Sequence, residues 1–214
     1  MRPNPSLNRR PPAGIQPAGG RRLACFVSPQ VNTLAIVATL LLTCSAHAVQ
    51  FEAATLSESG DTLTLSTHAR AIPAPRTTSE QQGFGDAKVS SNGSLVGWLA
   101  LTSNCCTSYP LPTSLVIFRN GRVVRSFVEA PPIWSWSFQE HDTAVAYRQE
   151  YPHGVSPIIY KLRRISDGRS LGEFVCAPKE GNPPGTEPQY EYSLPVPSWV
   201  RPIAGECPPR QAGG

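Results

Sequence analysis

Val89-Ser-Ser-Asn-Gly-Ser-Leu-Val-Gly-Trp98 and Phe138-Gln-Glu-His-Asp-Thr-Ala-Val-Ala-Tyr147 run through the same order of character: a polar turn, then an apolar run. They lie 49 residues apart. Further on, Leu115-Val-Ile-Phe-Arg-Asn-Gly-Arg122, closing at Phe127, matches Tyr160-Lys-Leu-Arg-Arg-Ile-Ser-Asp-Gly-Arg169, closing at Phe174, at an offset of 47. A self-similarity of this period marks repeat architectures in which each unit is a four-stranded sheet.

Each unit parses as four short strands. The first has 86–90, 95–101, 114–119 and 122–128; the second has 133–138, 143–149, 157–164 and 169–175. Asn120-Gly121 and Asp167-Gly168 supply the positive-φ residues of a tight hairpin between third and fourth strands. The second strands, Leu95 to Leu101 and Ala144 to Tyr147, are apolar at consecutive positions. Such runs suit strands covered on both faces by neighbouring sheets. The fourth strands carry Arg125 and Glu173, as partly wetted outer strands should.

These residues, Val89 to Trp98 with the Asn120-Gly121-Arg122 and Asp167-Gly168-Arg169 turns, resemble β-propeller blades of the TolB-type or Pro-Asp-Gly-turn kind, common in exported bacterial proteins. The resemblance implies an all-β fold in which residues 82–177 form two four-stranded antiparallel, propeller-blade-like meanders. The sequence lacks the proline of that turn, and two blades fall short of the four to eight that close a propeller. Either the flanking segments cap a two-sheet sandwich, or several chains join.

The flanks read differently. In 49–81, a hairpin turning at Ser59-Gly60-Asp61 precedes a polar, proline-bearing linker over 69–81. Residues 178–214 are a proline-rich tail, which leaves only Tyr190 to Val200 for an added edge strand. Trp199 is expected to pack and Cys207 to pin the tail. No helix is expected after residue 48.

Residues 1–48 hold five arginines, no carboxylate and the run Leu34-Ala-Ile-Val-Ala-Thr-Leu-Leu-Leu42, followed by Ala46-His47-Ala48. A basic region, a short apolar segment and an A-x-A site define a secretory signal, with cleavage after Ala48. The run is too short to span a bilayer, which needs about 20 apolar residues. Residues 1–20 make the leader unusually long and read as a mis-set start. Leu41-Leu42-Thr43-Cys44 fits a lipoprotein box poorly, so no lipid anchor is expected. The expectation is export to the periplasm or exterior, with no membrane span in the mature chain.

Cleavage also removes the basic character. The whole chain has 19 basic and 15 acidic residues; without the leader's five arginines the balance is 14 against 15. Net charge therefore makes no case for a nucleic-acid or an anionic-membrane partner. Cys105, Cys106, Cys176 and Cys207 remain, an even number that favours disulfides in an exported protein and lacks structural-zinc spacing. Cys176 closes the second unit at the end where the loop between second and third strands of each unit emerges. A bond from Cys105 or Cys106 to Cys176, with the other taking Cys207, is the favoured pairing. A vicinal Cys105–Cys106 bond with Cys176–Cys207 is the alternative, and all three connectivities stay open.

His68 and His141 fall at a strand end and in a turn, and no nucleophile-elbow, zincin or phosphate-loop motif occurs. No catalytic residue, metal or cofactor is assigned. The loops sharing the cysteine end carry Tyr109, Tyr151 and His153, whose rings combine apolar area with a polar tip. They form the candidate contact face, while Trp98, Trp134, Trp136 and Tyr147 belong on core strands. The sequence thus suggests a non-catalytic binding or envelope-interaction module for an unknown protein or envelope ligand. The alternatives are a self-associating structural protein whose chains complete each other's sheets, and a hydrolase with an unrecognised site.

Overall fold

The computed structural model describes residues 49–153, 155–181, 189–192 and 195–205. The expected leader with its expected cleavage at Ala48, and Cys207, lie outside these described residues. The described residues are all-β, with three antiparallel sheets of three, four and five strands. β1 (Phe51–Leu56), β2 (Leu63–Thr67) and β3 (Ala71–Pro73) form the first; β4 (Gln81–Val89), β5 (Val96–Thr102), β6 (Leu111–Arg119) and β7 (Arg122–Val128) form the second. The third has the order β12-β11-β10-β9-β8, from β8 (Ile133–Gln139), β9 (Ala144–Gln149), β10 (Ile158–Arg164), β11 (Ser170–Pro178) and β12 (Tyr190–Glu191).

This corrects the expectation of two four-stranded meanders flanked by a hairpin. The 69–81 segment is not wholly linker: Ala71, Ile72 and Pro73 pair with Ser66, Leu65 and Thr64 and make the hairpin a three-stranded sheet. Pro73 fits there because β3 is an edge strand. In the tail, Tyr190 and Glu191 pair with Pro178 and Ala177, giving the last sheet its fifth strand.

The sheets stack through three apolar layers. β5 alternates between two of them: Val96, Trp98 and Ala100 pack with Phe51, Leu63 and Leu65 of the first sheet, while Leu99 packs with Trp136, Val145 and Tyr147 of the third. β6 divides likewise, Val116 and Phe118 one way, Leu115 and Ile117 the other. A strand covered on both faces must be apolar at consecutive positions, and this is why β5 shows no polar alternation. β9 repeats the arrangement, Val145 and Tyr147 facing β5, Ala144 and Ala146 facing a third layer. That layer is closed by the tail. Val200 and Ile203, both buried, come from the turn and short 3-10 segment at Arg201–Ile203, with Trp199 laid across Gly172. Ser135 Oγ donates to Ile203 O at 2.9 Å and ties this cap to β8.

Three turns set the register. Asn120 and Gly121 have φ of 48° and 80°, as a two-residue hairpin turn matching strand twist requires. Asp167-Gly168 is different. There only Gly168 is left-handed (φ 75°), and Arg164 N bonds to Arg169 O across a longer loop. The added length lets Ile165 tuck into the middle layer, where its N–H donates to Thr143 O at 3.0 Å. Most unusual is Glu140-His141-Asp142, with φ of 51°, 54° and 67°. Left-handed backbone costs an L-residue about 1–2 kcal/mol. What offsets it is Asp142, nearly buried, whose carboxylate accepts from Ser91 Oγ (2.6 Å), Ser91 N (3.3 Å) and Asn92 N (3.2 Å) on the β4–β5 turn.

Trp136 is the centre of the joint between the second and third sheets. Its ring lies over Gly97, its Nε1 donates to Asp86 O at 2.8 Å, and its carbonyl accepts from Lys88 Nζ at 2.5 Å. Lys88 is paired with Asp86 at 2.7 Å, and its Nζ lies 5.0 Å from the indole centroid. Burying an indole of roughly 150–250 Å² is worth about 4–6 kcal/mol of gross transfer free energy. A Cβ at position 97 would strike the Trp136 ring. Gly97→Ala is accordingly expected to destabilise the protein by about 1–3 kcal/mol, read as a lower midpoint in urea unfolding.

Candidate functional site

The loops of the cysteine end emerge together because the opposite end is locked. Asp142 joins the β8–β9 turn to the β4–β5 turn, so the sheets run in step. The β5–β6 loop, the end of β7, the β9–β10 loop and the end of β11 then all fall at the other end. Tyr109, Tyr151 and His153 are all exposed there, Tyr109 at 44% and Tyr151 at 56%. The structure adds two residues that sequence reasoning missed: Val128 (75%) and Val155 (61%). Val128 was legible in principle, since it follows Phe127, which turns into the core, and so points outward.

Asn104 shapes the first of these loops. Its Oδ1 accepts from Cys106 N (2.7 Å) and Thr107 N (2.9 Å), and its Nδ2 donates to Thr107 Oγ1 (2.5 Å) and Tyr109 O (3.3 Å). A short polar side chain bonding its own downstream backbone is a turn former. Here it holds Tyr109 outward. The second loop starts from a braced Glu150: its N–H donates to Pro132 O at 3.3 Å and its carbonyl accepts from Trp134 Nε1 at 2.9 Å. Trp134 is therefore only half-buried, a loop brace on a strand, whereas Trp98, Trp136 and Tyr147 are core.

The favoured cysteine pairing is overturned. Cys105 and Cys106 are bonded to each other, in the exposed turn that Asn104 folds. Cys176 does share their end, but its side chain sits on the other face of the third sheet, fully buried in the tail-side layer with Phe174, Val200 and Ile203. The sheet itself separates them. Cys176 is also disulfide-bonded. With Cys25 and Cys44 removed by the expected cleavage after Ala48, a non-reducing peptide map is expected to show a Cys176–Cys207 crosslink and a Cys105–Cys106 peptide two hydrogens lighter than its reduced form.

The densest charged cluster is Glu129, just past β7. Its carboxylate accepts from the Tyr147 hydroxyl at 2.7 Å, pairs with Lys161 at 2.9 Å and lies 3.5 Å from Arg163. Burial alone would raise the Glu129 carboxyl. The Tyr147 hydroxyl and the two cations outweigh it and hold the group below the ordinary carboxylate range. Burial, and the carboxylate it bonds, push the Tyr147 phenol up. Every partner is engaged, and the cluster ties β7 to β9 and β10. A depressed carboxylate contributes stability that is present above its unfolded value, near pH 4.5, and is lost as pH falls through the lower folded value. Glu129→Gln is expected to cost about 1.5–3 kcal/mol near pH 7, with the gap to the parent narrowing below about pH 4.5 in urea titrations run across pH.

At the locked end, a groove of about 520 Å³ is lined by Lys88, Val89, Ser91 and residues 138–142. Its ammonium and its buried carboxylate are engaged in the sheet joint, Lys88 with Asp86 and Asp142 with Ser91 and Asn92. His141 stands exposed on its rim, and His68 is fully exposed 3.6 Å from Glu52. Among the described residues, no three His, Cys, Asp or Glu side chains gather as a metal site would need. Nor is any helix there long and apolar enough to cross a membrane.

Comparison with known proteins finds neither a protein-family model nor a curated protein that matches this chain.

Proposed function

We propose that the chain is an exported, disulfide-braced, non-catalytic binding or envelope-interaction module. Its two central sheets are propeller-blade-like meanders, and its contact surface is the loop end bearing Tyr109, Tyr151 and His153. The observation that carries this reading is that Tyr109, Val128, Tyr151 and Val155 are large, exposed apolar side chains on segments that the strand order brings to one end of the stack. Exposed apolar area gathered in one place is the mark of an interaction surface, whereas single exposed residues are unremarkable. Tyr side chains suit the role because a rigid ring loses little entropy on contact and its hydroxyl stays hydrogen-bonded.

The flanking segments support the capped-sandwich form over chains that join. The first sheet and the tail cover the outward faces of the pair with Phe51, Leu63, Leu65, Val200 and Ile203. The apolar faces that would motivate assembly between chains are occupied.

Native mass spectrometry of the protein from the envelope fraction tests the reading. A processed monomer beginning at Val49 and carrying a companion is expected. Tyr109→Ala and Tyr151→Ala should each weaken that association by about tenfold or more, while leaving the thermal midpoint unchanged. A homo-oligomer indifferent to both substitutions would instead establish sheet completion between chains.

A further inference from the structure

The remaining feature lies away from the aromatic end. Mature composition is charge-balanced, yet segments 119–125 and 163–169 carry Arg119, Arg122, Arg125, Arg163, Arg164 and Arg169 against the single acid Asp167. These are the β6–β7 and β10–β11 hairpins, and the fold sets them side by side. Arg125 Nε donates to Ile165 O at 2.9 Å and its guanidinium also reaches Ser166 O, so one hairpin's side chain grips the other's loop. Arg163 spans the same seam, donating from Nε to Gly168 O at 2.8 Å while its guanidinium lies 5.8 Å from the Phe127 ring.

Between the hairpins lies a cavity of about 270 Å³, lined by Arg119, Val124, Asp142, Thr143, Arg164, Ile165 and Ser166. Arg164 spends one donor on Asp167 at 3.2 Å. The Arg119 guanidinium has no hydrogen-bond or ion-pair partner among the described residues, and the residue is exposed. Asp142 also lines this wall, but its carboxylate is turned onto the three donors of Ser91 and Asn92. The volume is just under the roughly 300–1,000 Å³ of ordinary small-molecule sites, which suits a compact charged group.

We infer that the Arg119–Arg164 cavity is a seat for a phosphoryl group, either free or on the headgroup of an anionic lipid. Guanidinium forks match phosphate oxygens in pairs, and the tetrahedral oxygens of a phosphoryl group can be shared between two such forks. The neighbouring Arg122, Arg125 and Arg169 add attraction at longer range, which salt should screen. The site is independent of the aromatic end.

The test is calorimetric titration of the purified chain with inorganic pyrophosphate at low ionic strength. Alongside it, the chain is co-sedimented with phosphatidylglycerol and with phosphatidylcholine vesicles. Arg119→Gln and Arg164→Gln are compared with Arg70→Gln, at an exposed arginine in the β2–β3 turn. Saturable pyrophosphate binding that weakens about tenfold in either cavity variant and not in Arg70→Gln supports a seat for the free anion. Sedimentation only with phosphatidylglycerol, lost in the same two variants, supports the headgroup. No saturable binding to either probe, or equal weakening in all three variants, overturns the inference.

Discussion

The structure hangs on the contact between Trp136 and Gly97. An indole edge can come this close to a neighbouring strand only where that strand has no side chain, and β5 supplies the gap at Gly97, its second residue. Around that contact the polar groups are arranged to hold the ring in one orientation: Asp86 accepts its N–H, and Lys88 bridges from Asp86 to the Trp136 carbonyl. Asp86 reaches this position through a left-handed φ of 36° at the irregular stretch of β4, so local backbone cost is exchanged for a defined inter-sheet angle. The Asp142 carboxylate at one end and the Glu129 cluster at the other then fix the register that Trp136 begins. Three separate contacts along one seam leave little freedom for the second and third sheets to slide.

The loop end inherits its rigidity from that seam. Tyr109 is held by Asn104 and Tyr151 follows Glu150, whose backbone is bonded to Pro132 and Trp134. Both anchors lead back to strands that meet at the middle layer. A surface of this kind loses little conformational freedom on meeting a partner, the condition under which modest apolar area yields useful affinity.

How much of this was readable in advance depended on whether the signal was periodic. β5, β6 and β9 announce themselves because burial on two faces forces apolar runs such as Val96 to Leu101, and the β6–β7 hairpin because Asn120-Gly121 is an unambiguous turn. β3 has three residues and β12 two; neither is long enough to carry a period, and each exists because a neighbouring strand offers a free edge. The cysteine pairing failed for a geometric reason. Topology tells which end of a sheet a residue reaches, but the face depends on alternation through Phe174 and Cys176, which point together toward the tail. Tyr109, Tyr151 and His153 lie in the β5–β6 and β9–β10 loops, and loop position needs only strand order. The arginine seam was invisible to a net-charge argument, because acids elsewhere in the chain balance it.

The covering of both outer faces has a consequence for how such a chain can change size. A stack covered on one outer face by the first sheet and on the other by the tail has two terminators with two sheets between them. Its internal seam is built from one residue without a side chain on one surface and one indole on the next. A further sheet spliced between Val128 and Ile133, carrying an indole on one face and a glycine on the other, would meet surfaces already shaped to receive it. Length in this design is set by where the terminators sit, and the loops along one edge would multiply with every sheet added.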